Sequence, residues 1–280
     1  MYGAEIASAP RPFQPGNVHE DSVLGVIPAR LQSQRLPRKP LQQLAGRTLI
    51  EWVWRRVSSF QILDACVVAT DSPEVVAECE RLGAAVALTS PAHASGTDRV
   101  AEVAKLPAYA GAGIIVNVQG DEPFVTAAQV EGAVAEVRAG FAIGTVATPV
   151  RTLSAWRSPD VVKVVRRPDG SALYFTRAAV PHRRDGDPGA AELGSEWYLR
   201  HIGVYAYTPG SLARWVALGP HPLEALERLE QLRALMAGMT VGVAVVAEAA
   251  GGVDTAEDAR RAEVRLRELA MVPTLQRGER

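Results

Sequence analysis

Four cations crowd one short stretch, residues 27–40 (IPARLQSQRLPRKP): Arg30, Arg35, Arg38 and Lys39. Held close together they repel one another unless an anion lies among them. Arginine forks and a lysine point charge are a natural grip for the oxygens of a triphosphate. Pro28, Pro37 and Pro40 stiffen the stretch and remove backbone donors. A solvated basic surface loop is the plainer alternative, but the position directly after a β-branched run favours an anion site. A second stretch, 118–123 (VQGDEP), sets Asp121 beside Glu122 behind Gly120, which permits a tight turn. Carboxylates there, facing a phosphate-binding loop, suit Mg2+, which takes few carboxylates and completes its shell with phosphate oxygens and water. A third stretch, 93–99 (HASGTDR), offers hydroxyls and the free N–H groups of a helix start. These serve a base or ribose, or simply a helix cap at Thr97. The basic stretch is not a Gly-x-x-x-x-Gly-Lys-Ser/Thr loop, and no Gly-x-Gly-x-x-Gly follows the first apolar run, which argues against P-loop and dinucleotide-binding enzymes.

Those stretches need a frame that brings them together. Residues 23–27 (VLGVI) are an apolar run closed by Pro28, as for a buried parallel strand. Residues 49–60 place apolar side chains at 49, 50, 53, 54 and 57, a helical period. Strands are expected at 65–69, 84–88 and 114–118. Helices are expected from Ser72 and Pro73 and from about Thr97, with Gly83 as a C-cap. The β-α-β-α-β rhythm predicts an α/β fold, a Rossmann-like, mainly parallel sheet flanked by helices. Ligands in such folds sit beyond the carboxyl ends of the strands, and the segments after Ile27, Ala69 and Val118 fall there. Further on, 161–166, 172–175 and 201–207 read as strands and 185–194 (DGDPGAAELG) as a loop. A helix at 222–236, a strand at 241–247 and a closing helix at 255–269 follow. This predicts one domain over 23–270 with a small inserted antiparallel lobe at about 160–220, between flexible tails at 1–22 and 271–280.

The bulk numbers narrow the function classes. A hydrophobic share of 48% with 22% charged residues is that of a soluble globular chain. A formal net charge of −1 argues against a broad surface for nucleic acid or anionic membrane. No apolar run approaches the roughly 20 residues that cross a bilayer, and residues 1–21 lack the pattern of a signal peptide. The expectation is a cytoplasmic protein with no nucleic-acid or membrane partner. Cys66 and Cys79 stand without a CxxC or Cys/His cluster, so buried reduced thiols are expected rather than zinc.

The segment 27–40 resembles the signature of the CMP-Kdo synthetases, the 3-deoxy-manno-octulosonate cytidylyltransferases. Later segments agree in order: 69–71 (ATD), 93–99 (HASGTDR), 117–123 (NVQGDEP), 162–164 (VKV), 173–177 (LYFTR), 199–205 (LRHIGVY), 229–233 (LEQLR) and 252–255 (GVDT). The resemblance covers about residues 23–269. It implies the nucleotide-diphospho-sugar transferase type of fold and the joining of CTP to a 2-keto-3-deoxy sugar acid, with Mg2+, in a homodimer serving lipopolysaccharide biosynthesis. It also implies roles. Arg30, Lys39 and Asp121 would be catalytic, and Asp121 with Asp254 would hold the metal. Ala29, Arg30, Ser33, Arg35, Lys39, Asp71, Ser95, Gly96 and Gln119 would bind the nucleotide. Arg177, Arg200, His201, Glu230 and Gln231 would bind the sugar acid.

Local readings of some of these residues stay open beside the resemblance. Asp254 can be a helix N-cap with Glu257 reaching back, His201 a core histidine, and Glu230 part of a solvated helix face paired with Arg233. Tyr205 reads as packing. Two departures from the family pattern stand near the expected site: Arg38 where glycine is usual, and 180–184 (VPHRR) in place of the usual Ile-Pro segment. The open alternatives for function are another acidic sugar, such as a sialic acid or specialised ulosonic acid, or a non-catalytic nucleotide-binding homologue.

Overall fold

Side chains along the first strands divide by parity between two apolar layers. Val23 and Ile27 enter one layer with Cys66 and Val68, while Leu24 and Val26 enter the other with Ala65, Val67 and Ala69. A strand buried on both faces needs helices on both faces, and that is the architecture of the computed structural model, which describes residues 21–33, 35–247 and 250–271. The expected tails at 1–22 and 271–280 lie outside the described residues, except for 21, 22 and 271.

In chain order the elements are β1 (Val23–Ala29), a 3-10 turn (Lys39–Leu41), the short pair β2 (Gln43–Leu44) and β3 (Arg47–Thr48), and α1 (Leu49–Val57). Then come β4 (Ala65–Thr70), α2 (Pro73–Leu82), β5 (Val86–Leu88), α3 (Gly96–Ala104), β6 (Ile114–Val118), α4 (Ala127–Arg138) and β7 (Ile143–Pro149). The second half holds α5 (Leu153–Arg157), β8 (Lys163–Arg166), β9 (Ala172–Thr176), α6 (Ala190–Leu193), β10 (Leu199–Tyr207), α7 (Pro209–Val216), α8 (Pro222–Glu227), α9 (Gln231–Met236), β11 (Val241–Val245) and α10 (Ala256–Met271).

The main sheet runs β11-β7-β10-β6-β1-β4-β5. Strands β6, β1, β4 and β5 are mutually parallel, as are β7 and β11, and β10 enters antiparallel between β6 and β7. The fold class is thus α/β with a mainly parallel, helix-flanked sheet. The hairpin β8–β9 hangs from β10 through Leu199 and Arg200, so the antiparallel element extends the sheet. Helices α1, α2, α4 and α10 cover one face through Val53, Val75, Val130 and Leu266, and α3, α7 and α9 cover the other through Val100, Trp215 and Leu232. Each such fully buried side chain contributes about 1.5–3 kcal/mol. Among the described residues no helix is long and apolar enough to cross a membrane. Cys66 and Cys79 are buried and unbridged, and burial first of all pushes each thiol up to about 12.

The structure corrects several expectations. The helix expected at 222–236 is two, because Arg228 takes a left-handed conformation (φ 52°) and stops α8 before α9 begins. The loop at 185–194 contains the short α6. The sequence reading assigns nothing to α4 and β7. Helix α4 (AAQVEGAVAEVR) mixes small and apolar residues around its circumference, which blurs the helical period. It packs so tightly on β7 that a Cβ on Gly144 would stand 1.9 Å from the Ala133 carbonyl oxygen.

Candidate active site

Beyond the carboxyl ends of β1 and β6 the chain leaves a cleft of about 860 Å³. The turn after β6 passes over the end of β1, and only glycine permits the crossing. A Cβ on Gly120 would lie 2.7 Å from the Pro28 carbonyl oxygen. Close passage delivers Asp121 to the same place as the basic loop. The Val253 N–H donates to the Asp121 carbonyl at 2.9 Å and brings in the segment that carries Asp254.

Lys39, at the first position of the 3-10 turn, joins the two aspartates. Its Nζ donates to Asp121 Oδ2 and, at 2.8 Å, to Asp254 Oδ1. Burial works to lower the Lys39 pKa, but the charges and hydrogen bonds of both carboxylates outweigh it and hold the ammonium above the ordinary lysine value. Arg35 adds a contact to Asp254 at 3.1 Å, with both side chains largely in solvent. Asp254 is free for this because it does not cap α10. Thr255 and Asp258 form the reciprocal cap: Asp258 Oδ2 accepts from the Thr255 N–H at 2.9 Å, and its own N–H donates to Thr255 Oγ1 at 3.1 Å. Glu257 pairs with Arg260 instead of reaching back.

The adjacent carboxylates Asp121 and Glu122 do not act together; the pair that the resemblance implies, Asp121 with Asp254, is the one that meets. Glu122 is pushed up to about 8, by burial first and the nearby Asp121 charge second, so it holds its proton near neutrality. Asp121 and Asp254 are the carboxylates that together face a cation. Hard oxygen donors turned toward one positive charge, at the edge of an open cleft, fit Mg2+, which would take its remaining positions from phosphate and water. No cluster of three or more ligating side chains occurs among the described residues, so such an ion would rest on these two.

The opposite wall is the start of α3. Ser95, not Thr97, is the N-cap: its Oγ accepts from the Asp98 N–H at 3.2 Å, while Asp98 Oδ2 accepts from the Ser95 N–H at 3.0 Å. Ser95 and Gly96 line the cleft with Ala29, Arg30, Ser33 and Gln119. Arg30 donates through Nη2 to the His93 carbonyl at 2.6 Å, which ties the basic loop to this wall. Gln119 Nε2 donates to Asn117 Oδ1 at 3.2 Å. Arg177, Pro159, Asp160 and Arg228 close the far end.

Not every expected residue arrives. Arg38 faces away and pairs with Glu74, at 2.5 and 3.3 Å. Asp71 does not line the cleft, because its Oδ2 accepts at 2.8 Å from the wholly buried Arg99. Of the five residues expected at the sugar, Arg177 alone lines this cleft. His201 is half-buried, its ring between Phe175 and Tyr205 and bonded to Thr145 Oγ1 at 2.9 Å, and burial pushes it down to about 3. Tyr205 is packing, as expected. Arg200 lines a separate cleft of about 400 Å³ with Phe124, Arg151 and Arg265. Gln231 is buried at the start of α9. Glu230 turns inward to accept from Thr97 Oγ1 at 3.0 Å, while Arg233 pairs with Glu224. Pro159, Asp160 and Arg228 have no signature in the sequence. The nearest signal is the basic character of Arg228 two residues before Glu230.

Known proteins bear on this arrangement. The sequence profile described as Cytidylyltransferase matches residues 24–241. A 3-deoxy-manno-octulosonate cytidylyltransferase of Gemmatimonas aurantiaca is 50% identical over 241 residues, covering 86% of this chain and 92% of that protein. One of Syntrophotalea carbinolica is 43% identical over 252 residues, covering 89% and 100%. Among solved structures, a CMP:2-keto-3-deoxy-manno-octonic acid synthetase complexed with CTP superposes with a TM-score of 0.80 at 33% identity, covering 89% of this chain and 99% of that one.

Proposed function

This chain belongs to the cytidylyltransferase family, and from that premise we propose that it joins CTP to a 2-keto-3-deoxy sugar acid, Kdo or a close relative, giving the CMP-sugar and pyrophosphate. The observation that carries this reading is the meeting of Asp121 and Asp254 on Lys39 at the edge of the cleft. The names of the curated relatives and the CTP complex of the structural neighbour support the choice of substrates.

Nucleotide and acceptor then take opposite ends. The phosphates lie against Arg30, Arg35 and Lys39, and the cytosine between the Ala29–Arg30 backbone, Gln119 and the Ser95–Gly96 helix start, a polar pocket for a pyrimidine. The sugar acid lies at Arg177, with Arg228 as a second cation for its carboxylate. Asp121 and Asp254 would hold Mg2+, which would supply charge neutralisation on the triphosphate. The anomeric hydroxyl attacks the α-phosphorus in line and gives up its proton to water, a new P–O bond forms, and the bond to the β-phosphate breaks as pyrophosphate leaves. Arg30, Arg35 and Lys39 hold the phosphates for this displacement, and the work is positioning and charge compensation. We place the enzyme in the cytoplasm, where CTP is available, as a homodimer feeding lipopolysaccharide assembly.

Incubation with CTP, Mg2+ and a mixture of keto-deoxy sugar acids and sialic acid, followed by mass spectrometry, tests the reading. A CMP-sugar of the Kdo mass with stoichiometric pyrophosphate is expected. A product only from sialic acid would overturn the acceptor assignment, and no product from any acid would overturn the activity.

A further inference from the structure

Lys163 is a wholly buried lysine, and among the described residues no carboxylate lies within ion-pair distance of it. Its ammonium spends its donors on three backbone carbonyls instead: Ser158 at 2.8 Å, Val161 at 2.5 Å and Arg177 at 2.7 Å. The first two flank Pro159 and Asp160, so one charge closes a turn whose middle residues line the far end of the cleft. The third ties that turn to the residue that follows β9. Arg177 is then gripped from other sides. Its N–H donates to Glu227 Oε2 at 2.8 Å, its Nε to the Glu227 carbonyl at 2.7 Å, and its Nη1 to the Pro159 carbonyl at 2.8 Å.

We propose that Lys163 is a positioning residue for the acceptor: by tying the 158–161 turn to Arg177 it aims the Arg177 guanidinium into the cleft before substrate arrives. A buried charge is a poor way to add stability, because a well-packed apolar side chain of similar size commonly does as well. Burial and the neighbouring Arg177 charge both lower the Lys163 pKa, with Glu227 opposing them, so this ammonium stands where its charge is costly. What it adds that methionine cannot is a three-way tie between the turn and the end of β9. The closed turn presents the Pro159 carbonyl to Arg177 Nη1, and together with the Glu227 carbonyl on Nε this fixes the guanidinium plane and lowers the ordering cost of acceptor binding.

The inference rests on the reading of Arg177 as an acceptor residue, and the test separates the two. Steady-state kinetics of Lys163→Met should show the acceptor KM raised about tenfold, the low end of what loss of an outer partner costs at metal sites, with the CTP KM unchanged within about twofold. Equal rises in both KM values, or no rise, overturn the proposal. Hydrogen exchange on the same variant should quicken at 158–162 and 177–178 and stay unchanged at 29–33, and unchanged exchange at 158–162 also overturns it. If the wild-type enzyme turns over no sugar acid, the functional reading fails, while hydrogen exchange still judges the tie. If Lys163→Met does not fold, Lys163→Gln, which keeps a donor but cannot reach all three carbonyls, should show the same selective rise in acceptor KM. Its absence there is equally fatal.

Discussion

At the scale of single residues, the site depends on a cation balanced between two carboxylates. Asp121→Asn or Asp254→Asn should cut kcat/KM for pyrophosphate release by on the order of 100-fold or more. Stability should fall by only about 1–2 kcal/mol, since the other aspartate still partners Lys39. Near-normal turnover would remove the pair from the metal role. His201 makes a different prediction. Its folded pKa, about 3, lies below the ordinary value near 6.5, so between those values the unfolded chain binds the extra proton and acid favours unfolding. Stability from this residue is complete above about pH 6.5 and declines as pH falls toward 3, by about 2 kcal/mol at pH 5. Chemical denaturation at pH 7 and pH 5 measures it, and His201→Gln should lose most of the difference.

At the scale of elements, caps and turns decide which polar groups are left over for chemistry. Thr255 and Asp258 close the start of α10 between themselves and leave the Asp254 carboxylate for Lys39. Ser95 and Asp98 do the same for α3, so the wall there presents helix N–H groups from a fixed start. The basic loop turns at Arg38, which holds φ 53° and ψ 35°, a left-handed conformation that glycine adopts without strain. Glycine, which the resemblance leads one to expect at this position, would take this conformation freely. Because Arg38 points to Glu74 and not into the cleft, Arg38→Gly should leave the CTP KM within about twofold. It should raise the thermal midpoint by about 1–3 °C. A marked rise in KM would return Arg38 to the phosphate site.

At the scale of the molecule, the parallel half of the sheet was legible and the rest only in part. Continuous apolar runs at β1, β4 and β6 flanked by periodic helices fixed the fold class, and the position of the loaded segments after those strands located the cleft. The entry of β10 between β6 and β7 was not legible, because register between distant strands depends on packing that no local pattern encodes. The same limit governs the site. Basic loop, acidic turn and helix start each announced themselves locally, whereas Asp254 was named only through the resemblance, because preferring it to Glu122 depends on burial, and the arrival of Pro159, Asp160 and Arg228 depends on folding of the second half.

The bond from the Val253 N–H to the Asp121 carbonyl has a consequence for the order in which the enzyme comes into being. Ribosomes deliver Asp254 after every other group in the cleft, so a growing polypeptide can bring the rest of the lining together while still missing one of the two carboxylates on Lys39. Turnover is therefore expected only after that late segment emerges and docks, and a chain ending before Val253 should release no pyrophosphate from CTP.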